Sequence, residues 1–120
     1  MTALRLIPLQ LHGALEMVVG MFLMAAPLVL GLTPAAAAVG IVVGALLIGI
    51  ALSSTSTELG DRGSLSVAAH HSFDYGFAAG LLGAAAIVGL AGDDRPAIYV
   101  FAAAGVAQLA LNLTTRYSHR

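Results

Sequence analysis

Between residues 17 and 52 only one side chain, that of Thr33, is polar. A soluble domain this small must show water a polar face every turn or two, and this stretch has none to show. Thr33 and Pro34 split it into two apolar runs, 17–32 with sixteen residues and 35–52 with eighteen. About 20 apolar residues cross the hydrocarbon core of a bilayer, with a lower limit near 17. A helix that is apolar on every side is buried or faces lipid. The pair therefore reads as a hairpin of two membrane-spanning helices. The first is taken as 11–32, so that it includes a polar start containing His12 and Glu16.

The same logic extends to the whole chain. Only 9% of its residues are charged, against about 25% in soluble proteins. The net charge of −1 and the lack of a basic patch argue against nucleic acid as a partner. With no cysteine, disulfides and thiolate metal sites are excluded. Arg5, the first apolar run and the alanines at 35–37 can be read as a cleaved signal peptide. Glu16 at the edge of that run and the second long apolar run behind it argue against cleavage.

Residues 53–69 form the only long hydrophilic stretch, rich in Ser, Thr and Gly. They read as a loop, with Ser64 or Ser66 as a cap for the next helix. A third helix is expected from 67 or 70 to 92, a tight turn at 92–96, a fourth helix at 97–113 and a tail at 114–120. The expected fold is all-α: a single integral membrane domain over 1–120, built as a four-transmembrane-helix bundle from two tandem helical hairpins. Arg5, Arg62, Arg116 and Arg120 fall on one side of the membrane and Arg95 on the other. Basic residues accumulate on the cytoplasmic side, which places both termini there, in a multi-pass protein of the bacterial inner membrane. Tyr75, Tyr99 and Tyr117 lie near the expected helix ends, where interfacial aromatics gather.

The second half repeats the first. A shift of 58 places His12 on His70, Glu16 on Asp74 and Gly31 on Gly89; a shift of 61 places Gly44 on Gly105. The apolar matches carry little weight in so simple a sequence. The recurring His-x-x-x-acid pair carries more, because the chain has only six acidic residues. Repeat one covers 11–52 and repeat two 70–113. Both start on the same side of the membrane, which makes this a parallel repeat.

Gly20, Phe22, Leu23, Pro27, Leu30 and Gly31 give the first helix a pattern that resembles the SPW-repeat family of small bacterial integral membrane proteins. The stretch 42–47, VVGALL, is similar to that family's second helix. Of the Ser-Pro-Trp motif itself only Pro27 is kept, since Ala26 and Leu28 replace its neighbours. The resemblance covers 20–52 best. It implies a membrane protein of two-helix units and carries no activity with it.

Helical spacing puts His12, Glu16, Gly20, Pro27 and Gly31 on one face of the first helix. His70, Asp74, Ala78, Ala85 and Gly89 occupy the equivalent face of the third. On the fourth helix, Gly105, Gln108 and Asn112 align. Placed in depth, His12, His70 and Asn112 share a level near the cytoplasmic side, and Glu16, Asp74 and Gln108 lie roughly 6 Å deeper. Gly20, Gly40, Gly44, Gly76, Gly80, Gly83 and Gly105 are candidate helix-packing positions.

The plainest reading of the polar residues is that each histidine bonds the carboxylate four residues on in its own helix. On that reading the protein is a structural, accessory or interaction component of the membrane, with no cofactor, touching lipid and a homo-oligomer or larger complex. The alternative is a small transporter or a proton- or cation-binding protein using Glu16 and Asp74. A third possibility is haem or metal binding through His12 with His70 or His71. No His-Glu-x-x-His, phosphate loop or nucleophile elbow is present, so no catalytic machinery is identified.

Overall fold

Two short breaks and one long one divide the chain into four helices, described here over residues 6–54, 67–92 and 94–115 of a computed structural model. They are α1 (Leu9–Leu30), α2 (Pro34–Ser54), α3 (Val67–Ala91) and α4 (Arg95–Thr114). All four are long and apolar enough to cross a membrane, which indicates a small multi-pass integral membrane protein. The longest dimension, 47 Å, matches a bilayer of about 40–45 Å including its headgroup regions.

The helix ends follow from the residues that stop them. Pro8, in extended backbone, precedes α1, so the helix begins two residues earlier than the apolar pattern indicates. Gly31 ends it with a left-handed backbone (φ 66°), and the Leu32 N–H reaches back to the Pro27 carbonyl at 3.1 Å. Only glycine adopts that conformation without penalty, and the reach-back bond satisfies an orphan carbonyl. Gly92 (φ 78°) plays the same part after α3. The start of α4 moves from 97 back to Arg95 because Pro96 is tolerated in a first turn, and Asp94 caps the helix by accepting from the Ala97 N–H at 3.2 Å. The expected caps Ser64 and Ser66, with Arg62 and Tyr117, lie outside the described residues.

α1 packs along α2 and α3 along α4, giving two antiparallel hairpins. The hairpins meet chiefly through α1 and α4, and α2 and α3 touch only slightly. Leu23, Leu47, Leu81 and Phe101 are the large apolar side chains at the centre. Leu28, Val29, Ile87 and Leu90 are largely exposed on the flanks, where lipid replaces water as their surroundings.

Glycines set how closely the first hairpin packs. A Cβ on Gly44 would come 2.5 Å from the Gly20 carbonyl oxygen, and one on Gly20 would come 2.8 Å from the Gly44 oxygen. Pro27 has no N–H to offer the Leu23 carbonyl one turn back. Gly40 lies against that carbonyl, where a Cβ would come within 3.0 Å of it. In the second hairpin Gly105 fits against Leu82. Gly76, Gly80 and Gly83 make no such contact: a Cβ at any of them would meet nothing within 4 Å among the described residues.

Candidate functional site

The helix register brings the start of α1, the start of α3 and the last turns of α4 to one end of the molecule. His12 and His70 are each the fourth residue of their helix, and Glu16 and Asp74 follow one turn on. All four are buried, with exposures of 0–1%. Gln108, Asn112 and Thr115 approach from α4 and its C-terminal edge and are equally buried, at 0–2%.

The closest pairing runs across the bundle. His12 Nε2 lies 2.7 Å from Asp74 Oδ2, and His70 Nε2 lies 2.9 Å from Glu16 Oε1. The pairs within one helix are looser: 3.7 Å from His12 to Glu16 and 3.2 Å from His70 to Asp74. The contact expected between each histidine and the carboxylate on its own helix is present, but as the longer of two. The i, i+4 spacing does put each pair on one face, but that face looks into the bundle. The facing carboxylate then sits closer than the neighbour on the same helix. The two imidazole rings meet edge to face, with centroids 5.5 Å apart.

Neighbouring groups fix the orientation of this quartet. Gln108 Nε2 donates to Glu16 Oε2 at 2.9 Å and to Asn112 Oδ1 at 3.1 Å. Both Glu16 oxygens thus face a nitrogen, one from Gln108 and one from His70. On the other side, His12 Nδ1 lies 2.7 Å from Thr115 Oγ1, and Thr115 Oγ1 donates to the Leu111 carbonyl at 2.6 Å. Thr115 is held in place by a single parallel bridge to Ile7, whose N–H donates to the Thr114 carbonyl at 3.0 Å.

Proton counting along this line is decisive. A hydroxyl has one hydrogen, and the Leu111 carbonyl, which can only accept, takes it. Thr115 must then accept from His12, so Nδ1 carries the hydrogen. In a neutral imidazole that leaves Nε2 as an acceptor. It faces a carboxylate oxygen, also an acceptor when ionised, at 2.7 Å. Two lone pairs so close in a dry interior repel, so either Nε2 is protonated too, making the ring an imidazolium paired with Asp74, or a metal ion joins them. The Gln108 Oε1 atom adds another acceptor: it is fully buried and meets no donor among the described residues.

One ligand atom from each of His12, Glu16, His70 and Asp74 can be chosen so that all lie within 4.8 Å of one another. That set fits a small ion held by two imidazoles and two carboxylates. It does not fit a haem, because the two rings already meet edge to face and leave no gap for a macrocycle between them. His71 takes no part in the quartet. It is exposed and stacks edge-on against Tyr75, with centroids 4.9 Å apart. Thr115 was not singled out by the sequence, where it reads as the second residue of a tail. Its only signal was the polar Thr-Thr pair at a helix end.

The opposite end has its own polar link. Asp94 Oδ2 accepts from the Thr33 N–H at 2.8 Å while Oδ1 caps α4. The Thr33 amide above all, with the Ala97 amide, holds the Asp94 carboxyl below its ordinary value. A groove of about 510 Å³ near that end is lined by Phe22, Leu30, Tyr99 and Val100, with Arg95 among its lining residues. It contains none of the quartet. No family model, curated protein or solved structure matches this chain.

Proposed function

We propose that this is a cation-binding membrane protein whose two hairpins close around one ion near the cytoplasmic face. The observation that carries the reading is the His12–Asp74 contact, an acceptor set against an acceptor at 2.7 Å by the Thr115 hydrogen bond. Electroneutrality supports it. A bare charge at the centre of a bilayer costs about 2.5–3.5 kcal/mol on the insertion scale. Two carboxylates are buried here, with no arginine among the described residues beside them. A bound cation offsets that charge where it stands.

The cytoplasmic placement rests on the distribution of arginines, and the tandem, parallel repeat rests on the recurrence of His-x-x-x-acid at the start of both hairpins. The SPW-repeat resemblance over 20–52 is compatible with a two-helix unit and adds no activity. Between the quartet and the far end, the interior is filled by Leu23, Leu81, Val100 and Phe101. That favours a closed holding site over a path through the membrane. A structural or accessory role in the membrane follows, with the ion as a fastener. Self-association through the outward glycines of α3 is the partner this reading carries.

Nitrogen-15 NMR of histidine-labelled protein in lipid tests the reading. The His12 ring should report either a metal-coordinated Nε2 or two protonated nitrogens. A neutral ring with one bare imine nitrogen would overturn the proposal.

A further inference from the structure

We propose that the cation is a divalent transition-metal ion of the zinc class, bound by His12 Nε2, His70 Nε2, one oxygen of Glu16 and one of Asp74. The inference rests on the cation-binding reading above and goes on to name the ion. Three independent features point the same way.

The first is spacing. Tetrahedral zinc bonds to nitrogen and oxygen are about 2.0–2.1 Å, which sets neighbouring ligand atoms roughly 3.3 Å apart. The nitrogen–oxygen separations in the quartet are 2.7, 2.9, 3.2 and 3.7 Å, with Asp74 facing both histidines through Oδ2 and Glu16 facing His70 through Oε1 and His12 through Oε2. Taken as one atom from each residue, the set lies within 4.8 Å, near the size of a tetrahedral site.

The second is charge and donor type. Two neutral imidazoles and two carboxylates carry −2, so a divalent ion makes the site neutral. A monovalent ion leaves a net charge in a low-dielectric interior. Imidazole nitrogen suits zinc, cobalt, nickel or iron, whereas calcium and magnesium take oxygen ligands. With no cysteine in the chain, soft-metal thiolate chemistry is absent.

The third is the surrounding hydrogen bonding. A ligating histidine donates its other ring N–H to a fixed oxygen, and ligating carboxylates are hydrogen-bonded in turn. His12 has that arrangement, with Nδ1–H to Thr115 and Nε2 facing the other donors. Glu16 receives Gln108, which is itself anchored on Asn112. Four protein ligands in a closed, buried set make a holding centre rather than a catalytic one, which keeps an open position. The ligands come in pairs from α1 and α3, so the ion joins the two hairpins.

The test is cobalt titration of the full-length protein, purified in detergent and stripped with a chelator. Expected are the intense visible bands of tetrahedral Co²⁺, saturating at one equivalent per chain and bleached by Zn²⁺. Thr115→Val should weaken Co²⁺ binding about 10–100-fold, the usual cost of losing a group that orients a ligand. Thr115→Ser should restore it, which separates orientation from general damage. Absence of cobalt bands together with no zinc retained after dialysis overturns the inference, as does the weak spectrum of six-coordinate cobalt. If His12 Nε2 is protonated in a metal-free protein that takes up no cobalt, the ion is a proton: the metal assignment falls and the cation-binding reading stands. A bare Nε2 ends both.

Discussion

The two ends of the molecule both fasten the first hairpin to the second with acidic side chains, and they do so in opposite ways. At the turn end a single carboxylate suffices. Each Asp94 oxygen receives one backbone N–H, from Ala97 and from Thr33, so acceptors and donors balance. At the other end two carboxylates, two imidazoles, two amides and a hydroxyl converge, and how their donors and acceptors match depends on protons or an ion held among them. Joining two hairpins does not require so many ionisable groups. That concentration is the feature that supports the proposed ligand, and the single-carboxylate end serves as an internal control within the same chain.

The contrast breaks most readily at the quartet. Glu16→Gln combined with Asp74→Asn should reduce bound metal from one ion per chain to none, measured by elemental analysis after dialysis. Circular dichroism should show the helical content unchanged, because the amides still hydrogen-bond and the Asp94 link remains. Metal retained by this variant at one ion per chain would show that the carboxylates are not the ligands and remove the contrast.

A smaller effect separates glycines that pack from glycines that face outward. Gly44→Ala forces a methyl group towards the Gly20 carbonyl, which a Cβ would approach to 2.5 Å. Overpacking of this kind costs about 1–3 kcal/mol, measurable as a lowered midpoint in detergent unfolding. Gly80→Ala meets nothing within 4 Å and should leave that midpoint in place. A change in the detergent-solubilised mass of Gly80→Leu would show instead that this strip binds a second copy.

The smallest effect belongs to Asp94. Its folded value lies below the ordinary 3.8, so the ionised carboxylate is the form that stabilises the fold. The contribution is complete above that ordinary value and fades as pH falls through the lower folded one. Asp94→Asn should lower the thermal midpoint slightly at neutral pH and leave metal binding intact. Its difference from wild type should disappear in strong acid. A difference that persists there would mean that the carboxylate charge plays no part in the link.

Much of the architecture was legible in the residues. Apolar runs of membrane length, broken at Thr33-Pro34 and at 92–96, fixed four helices and two hairpins, with errors of about two residues at ends governed by Pro8 and Pro96. The depth of the polar groups was legible as well, because helix direction and rise place His12, His70 and Gln108 near one end. Their pairing was not. Spacing along a helix says that His12 and Glu16 share a face, but it does not tell how near the facing helix comes. That distance is set by packing of all four helices. Thr115 and the Asp94–Thr33 link escaped for a related reason. Each lies where a helix has ended, and its partner is more than 60 residues away in sequence.

The crosswise pairing also bears on how such a protein is made. Synthesis delivers α1 and α2 first, and His12 and Glu16 then enter the membrane without the groups that will complete them. Until α3 and α4 arrive, the first hairpin exposes a half-built polar face, the kind of feature by which insertion and quality-control machinery recognises an unfinished chain. Completion of the quartet buries that face in one step. The crosswise contacts form only when the second hairpin has docked in the correct register.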